Sequence, residues 1–224
     1  MQLLAELLRA DPAGPRLTVY DESTDSRLDF SALTLDNWAA KVANMLYEEL
    51  DLEPAATITI DLPAGWQAAV IALGALAAGI DYRFGPPDLS SPEVIFCSTD
   101  RIPEGTPPAG SYPDLVVVTA DPFGRGVVET GGTLPEGAID FGPTVRFYSD
   151  DFPGPTPGLA DLVDGPLPQP GTRLLSTGWT DRDSFTRTVL GPLAAGGSAV
   201  IVAGVTDVAR LDDIARAEKV TDRA

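Results

Sequence analysis

Between Ser31 and Phe84 the spacing of apolar residues switches between helical and strand periods, and this stretch constrains the fold more than any other. Leu35, Trp38, Val42, Met45, Leu46 and Leu50 recur at helical spacing, while Asp36, Lys41, Asn44 and Glu48 fall largely outside that stripe. The pattern predicts a helix with one face against a sheet. Ser31 and Thr34 each carry a hydroxyl suited to capping its free amides. Pro54 separates that helix from Thr57-Ile58-Thr59-Ile60, a β-branched run that reads as a strand. Pro63 and Gly65 then turn the chain into a second helix, Trp66 to Ala78, whose Ala and Gly residues permit close backbone approach. Gly79 stops it before a strand from Ile80 to Phe84. Strand and helix in alternation imply a parallel sheet with right-handed crossovers.

The flanks extend this plan. Leu3, Leu4, Leu7 and Leu8 predict a one-sided helix from Gln2 to Ala10, ended at Asp11-Pro12. Arg16 to Tyr20 and Arg27 to Phe30 read as a hairpin. Val94 to Cys97 and Leu115 to Thr119 read as buried strands around the Pro- and Gly-rich segment Ile102 to Pro113. From 121 to 170 the chain reads as loops over a thin scaffold, with one modest strand candidate at Val145 to Tyr148. Regularity returns with a strand at Arg173-Leu174-Leu175, a helix from Asp183 to Ala194, a strand at Ala199 to Val202 and a helix from Asp207 to Lys219. The expectation is a single α/β domain with two lobes: residues 1–120, a loop-rich connection 121–170, and residues 171–224.

Composition removes several function classes. Histidine is absent, so no Ser-His-Asp or Cys-His arrangement can form, and zinc loses its usual ligands. The only lysines are Lys41 and Lys219, so any phosphate-holding or Schiff-base lysine is one of these two. A net charge of -18 repels phosphate backbones and anionic lipid heads, which argues against nucleic acid and membrane surfaces as partners. A protein partner or a homo-oligomer stays open. The lone Cys97 and the absence of a basic leader segment suggest a cytoplasmic, reducing compartment.

Three segments, LTLDNWAAKVANMLYEEL, ATITIDLPAGWQAAVIALGALAAGIDY and GPLAAGGSAVIV, followed by ARAEKVT, resemble in that order the N-terminal half of adenylate-forming enzymes. That superfamily includes acyl-CoA synthetases, luciferases and peptide-synthetase adenylation domains. Its members carry a "YxELxxxxNxLAxxL" helix, a "GDxVxxxLPNxxxxxxxxLAxxxAGA" unit and a later "PLxxGxxxVL" unit. The resemblance implies an α/β fold of layered parallel and mixed sheets flanked by helices, with the irregular Gly/Pro-rich middle as an interruption.

The departures from that pattern bear on activity. The family's Gly, Ser and Thr-rich loop ends in Pro-Lys-Gly and holds the phosphates of ATP through its amides and lysine. The nearest string here is Thr130-Gly131-Gly132-Thr133-Leu134-Pro135-Glu136-Gly137, which is too short and puts Glu136 where the lysine would stand. It also precedes the break between Asp150 and Arg173 where such a loop would be expected, and reads as a plain turn. Ser176-Thr177-Gly178 mimics the family's Ser-Thr-Gly-Asp motif but precedes the PLxxGG unit instead of following it. Gly178-Trp179-Thr180 is the better match to the family's aromatic and histidine-bearing turn, without the histidine. The family's Tyr-Gly-x-Thr-Glu motif, ribose aspartate and C-terminal domain with its catalytic lysine would lie beyond Ala224.

Remaining candidates each have a plain structural reading. Asp150-Asp151 and Asp212-Asp213 carry oxygen ligands for Mg²⁺ or Ca²⁺ but read as solvated surface in so acidic a chain. Cys97 reads as a buried, inert thiol, and Trp38 and Trp66 as core. Arg173, Arg182 and Arg187 offer the charge for an anion site near a helix start but read as ion-paired with Asp181 and Asp183. Trp179, in a loop between strand and helix, is the one candidate ligand-cleft residue. No catalytic residue, metal site or cofactor is predicted. The resulting expectation is a shortened, degenerate and catalytically inactive relative of the acyl-CoA synthetases with a binding or assembly role. The alternatives are a partial ligase subunit completed by another chain, or a nucleotide- or acyl-binding protein without turnover.

Overall fold

The computed structural model describes residues 2–87, 94–103 and 114–224, so most of the segment Ile102 to Pro113 lies outside the described residues. In chain order the elements are α1 (Ala5–Ala10), β1 (Pro15–Asp21), β2 (Ser26–Ser31), α2 (Ala32–Glu48), β3 (Thr57–Asp61), α3 (Trp66–Ala78), β4 (Asp81–Phe84), β5 (Val94–Ser98), β6 (Leu115–Val118), β7 (Ile139–Asp140) and α4 (Phe141–Phe147). A 3₁₀ turn at Leu159–Leu162 precedes β8 (Arg173–Ser176), α5 (Arg182–Phe185), a π-helical stretch Thr186–Leu190, α6 (Gly191–Ala194), β9 (Ser198–Ala203), α7 (Val208–Ala217) and β10 (Asp222–Arg223). The fold is α/β, with two mostly parallel sheets accompanied by helices, as expected. Among the described residues no helix is long and apolar enough to cross a membrane.

The chain divides into two compact units. One comprises residues 1–36, 64–66 and 157–224 and contains the sheet β10-β8-β9-β1-β2. Its strands pair in parallel except for the β1–β2 hairpin, which is antiparallel with Val19 opposite Leu28. The N-terminal hairpin thus joins the C-terminal strands, with Leu17 beside Ala199 and Val19 beside Ile201, and not the strands of 57–120 with which the sequence reading grouped it. Such a pairing joins residues about 180 positions apart, and local periodicity carries no signal for it. Ser31 caps α2 as expected, its Oγ accepting the Thr34 amide at 3.1 Å.

The other unit, residues 37–63 and 67–156, contains the all-parallel sheet β4-β3-β5-β6-β7. Ile58 aligns with Val94, Ile60 with Phe96, and Phe96 with Val116. Both faces of these strands are apolar because a parallel sheet is covered on both sides. Gly74 is required here for packing: a Cβ at that position would lie 2.5 Å from Val42 Cβ and 3.0 Å from the Ala39 carbonyl.

Two local readings need correction. Val145 to Tyr148 is not a strand. Phe141 and Val145, one helical turn apart, are both buried in α4, and Pro143 is tolerated in its first turn, where amides have no intrahelical acceptor. The expected helix from Asp183 to Ala194 is continuous but changes pitch. Pro192 has no N–H to give the Thr188 carbonyl, and just before it the Gly191 amide reaches back five residues to Thr186.

Candidate functional site

In open parallel sheets the crevice for a ligand forms beyond the carboxyl ends of the strands, close to where strand order reverses. In the all-parallel sheet β3 lies between β4 and β5, so the reversal falls at the ends of β3 and β5, at Asp61 and Ser98. Asp61 is buried and receives Arg101 Nη1 at 3.0 Å. Ser98 Oγ donates to Asp100 Oδ1 at 2.6 Å, which holds the Asp100 carboxyl below its ordinary range. Cys97, one residue earlier, is fully buried as the sequence reading expected. Burial first, and the charges of Asp61 and Asp100 second, push its thiol up to about 12. A thiol of that kind is protonated at neutral pH and is not a nucleophile.

Beside this point, at the ends of β5 and β6, lies a cavity of about 520 Å³ lined by Thr99, Asp121, Val127, the turn Thr130–Thr133 and the backbone after β6. Gln67 positions that backbone, its Nε2 donating to the Thr119 and Asp121 carbonyls at 3.2 and 3.1 Å. Asp121 is fully engaged. Its Oδ2 receives Arg125 Nε at 3.0 Å and Nη2 at 2.7 Å, and its Oδ1 accepts the amides of Phe123 and Arg125. The Arg125 hydrogen bonds hold its carboxyl below the usual range.

The glycine turn faces inward. The Thr130 amide donates to the Gly126 carbonyl at 3.0 Å, Gly131 to Val128 at 3.1 Å and Gly132 to Val127 at 2.8 Å. Gly131, at φ +84°, takes the left-handed backbone that the turn needs. A phosphate cradle presents such amides to the ligand, whereas these already have acceptors. Among the described residues no cationic side chain lines the cavity.

Apart from Thr130–Thr133, the residues singled out by sequence are not among those lining this cavity. Trp179 is only 8% exposed and packs edge-on to Phe185, ring centroids 4.9 Å apart, in the first unit. Trp66 is core, stacked on Phe30 at 5.2 Å, and Trp38 is half-buried. Arg173 pairs with Glu218, and not with Asp181 or Asp183 as the ion-pair reading had it. Asp181 instead caps α5, its Oδ1 accepting the Ser184 amide at 2.7 Å. Lys41 donates to the Tyr148 carbonyl at 2.6 Å, and Lys219 sits just after α7 with φ +53°. Asp212 pairs with Arg223 and Asp213 with Arg216, while Asp150 and Asp151 are exposed. Among the described residues no group of three or more carboxylate or thiol side chains is placed to hold a metal ion. Of the cavity-lining set, the 130–133 turn reads from sequence as a plain turn, and Thr99 and Asp121 carry no sequence mark of a site. The only available signal was that each segment follows a strand of a parallel sheet or precedes the next.

Comparison with known proteins gives two likenesses. A curated protein of Mycobacterium tuberculosis (strain ATCC 25618 / H37Rv), described as a TIGR03089 family protein, is 37% identical over 238 residues, covering 98% of this chain and 95% of the relative. The crystal structure of Brucella canis acyl-CoA synthetase superposes with a TM-score of 0.75 at 16% identity, over 100% of this chain and 47% of that one. The second likeness shows the fold, and this chain spans about half of that synthetase's length. No family model matches the chain.

Proposed function

The chain belongs to the TIGR03089 family, and on the acyl-CoA synthetase-like fold that it carries we propose a protein that binds a small ligand without activating it through ATP. The observation that carries this reading is the glycine turn: the amides of Thr130, Gly131 and Gly132 donate to carbonyls of Gly126, Val128 and Val127. The residues present do not fit a nucleotide triphosphate. Lys41 is held by a carbonyl, and Glu136 places a negative charge beside the turn. The stretch 150–172, where the family's phosphate loop would be expected, contains four aspartates and no basic residue. Arg173, which follows it, is committed to Glu218. Among the described residues that line the cavity an anion of several charges meets no counter-charge, in a chain already at -18.

Thermal unfolding with ATP and Mg²⁺, AMP or coenzyme A tests the reading. A ligand at a hundred times its Kd adds about 2.7 kcal/mol to stability and raises the midpoint by several degrees. No shift is expected with any of the three, and a saturable shift with ATP and Mg²⁺ contradicts the reading.

A further inference from the structure

We propose that the cavity at the ends of β5 and β6 binds a neutral, polyhydroxylated small molecule of monosaccharide size, held by Thr99 and Thr133 with Phe123 at its rim. The inference rests on the binding reading given above and names the ligand class for that site. Three observations lead to it.

The first is size and position. A volume of about 520 Å³ falls within the range of small-molecule sites, and the ends of parallel strands are where such sites form. The second is the chemistry of the lining. Among the described residues the hydroxyls of Thr99 and Thr133 are not engaged, whereas Thr119 and Thr130 donate to the carbonyls of Arg125 and of Gly126 and Val127. A threonine hydroxyl both donates and accepts, which matches the hydroxyls of a polyol. The Asp121 carboxylate is saturated by Arg125 and two amides, so it offers no open ionic partner to a cation, and among the described lining residues no basic side chain offers one to an anion. The charge balance of the cavity therefore selects for neutral ligands.

The third observation is Phe123. It is 74% exposed, and its amide donates at 2.9 Å to the lining residue Asp121, which keeps its backbone beside the cavity. Its apolar ring surface suits the C–H face of a sugar ring, while the hydroxyls turn to the threonines.

The test is a titration of the ¹⁵N-labelled full chain with D-ribose and D-glucose, and separately with ribose 5-phosphate, followed by amide chemical shifts. Saturable shifts confined to 99–101 and 119–133 are expected with at least one neutral sugar. Ribose 5-phosphate is expected to bind about tenfold more weakly than ribose. Phe123→Ala and Thr133→Val, both at exposed positions, are expected to weaken sugar binding severalfold while leaving the unfolding midpoint unchanged. Absence of shifts with both neutral sugars overturns the proposal, as do shifts of equal affinity with the phosphate ester or binding indifferent to both substitutions. Because adenylation is measured by a different assay, loss of this inference leaves the ATP-independent reading standing, and the reverse outcome is equally distinguishable.

Discussion

Arg173 and Glu218, 45 residues apart, are joined twice: Nη2 meets the carboxylate at 2.5 Å, and Nε donates to the Glu218 backbone carbonyl at 2.7 Å. The same guanidinium reaches Thr18 Oγ1 at 2.9 Å and Ser198 Oγ at 3.0 Å, so one side chain ties β8, β1, β9 and the end of α7 together. Glu218 also accepts from Tyr20 Oη at 2.6 Å and Arg27 Nε at 2.7 Å. This network is saturated within the protein and serves stability.

Glu218 gives that network a pH signature. Burial alone would raise its pKa, but the hydrogen bonds from Arg27, Tyr20 and Arg173 outweigh it and depress the carboxyl from 4.5 to about 2. A carboxyl depressed on folding contributes stability that is fully present above the unfolded pKa and is lost as pH falls toward the folded one. The contribution is on the order of 2 to 3 kcal/mol. Urea unfolding of the native protein and Glu218→Gln is expected to differ by roughly this amount at pH 7, with the gap closing between about pH 4.5 and 2. A gap independent of pH would contradict it.

Gly74 tests the packing within the second unit. Its missing Cβ would stand 2.5 Å from Val42 Cβ, an atom next to the backbone that cannot swing aside. Gly74→Ala is expected to destabilise by about 1–3 kcal/mol despite alanine's better helix propensity, because overpacking outweighs a propensity gain of about 1 kcal/mol. Adding Val42→Ala, which removes Cγ1, also 2.5 Å from that position, should return part of that loss, measured by chemical denaturation as a double-mutant cycle.

Cys97 is expected to be silent. With its thiol buried and pushed up to about 12, it should not react with a thiol reagent at pH 8 in the folded state and should react stoichiometrically after unfolding in urea. Rapid labelling of the folded chain would refute the assignment.

What was legible in the sequence was what local chemistry determines. The α3 span, Trp66–Ala78, followed from its alanines and from Gly79, which takes φ +68° at the helix stop. The hairpin, β3 and the Ser31 cap were equally readable. Features set by distant partners were not. The hairpin's neighbour β9 lies about 180 residues away, Arg173's partner lies 45 away, and β10 is only two residues long. Asp140 carries no distinguishing mark in the sequence, yet it is buried and accepts the amides of Val127 and Val128, which fixes the approach to the glycine turn. The candidate site escaped for the same reason, since its residues come from the turns after β5 and β6, whose adjacency is a property of the sheet. Trp179 drew notice as a loop aromatic, and it packs on Phe185 because its strand and helix meet there. Trp179→Ala is expected to cost about 3 kcal/mol of stability, measured by urea unfolding, as for other buried aromatics.

ATP–pyrophosphate exchange with Mg²⁺ and a panel of short, medium and long carboxylic acids and amino acids tests the central claim most directly. With the amides of Thr130–Gly132 turned inward and Lys41 donating to the Tyr148 carbonyl, exchange is expected at the level of a no-protein control. Acid-dependent exchange above that background, from protein purified to homogeneity, would contradict the account and restore an adenylating enzyme.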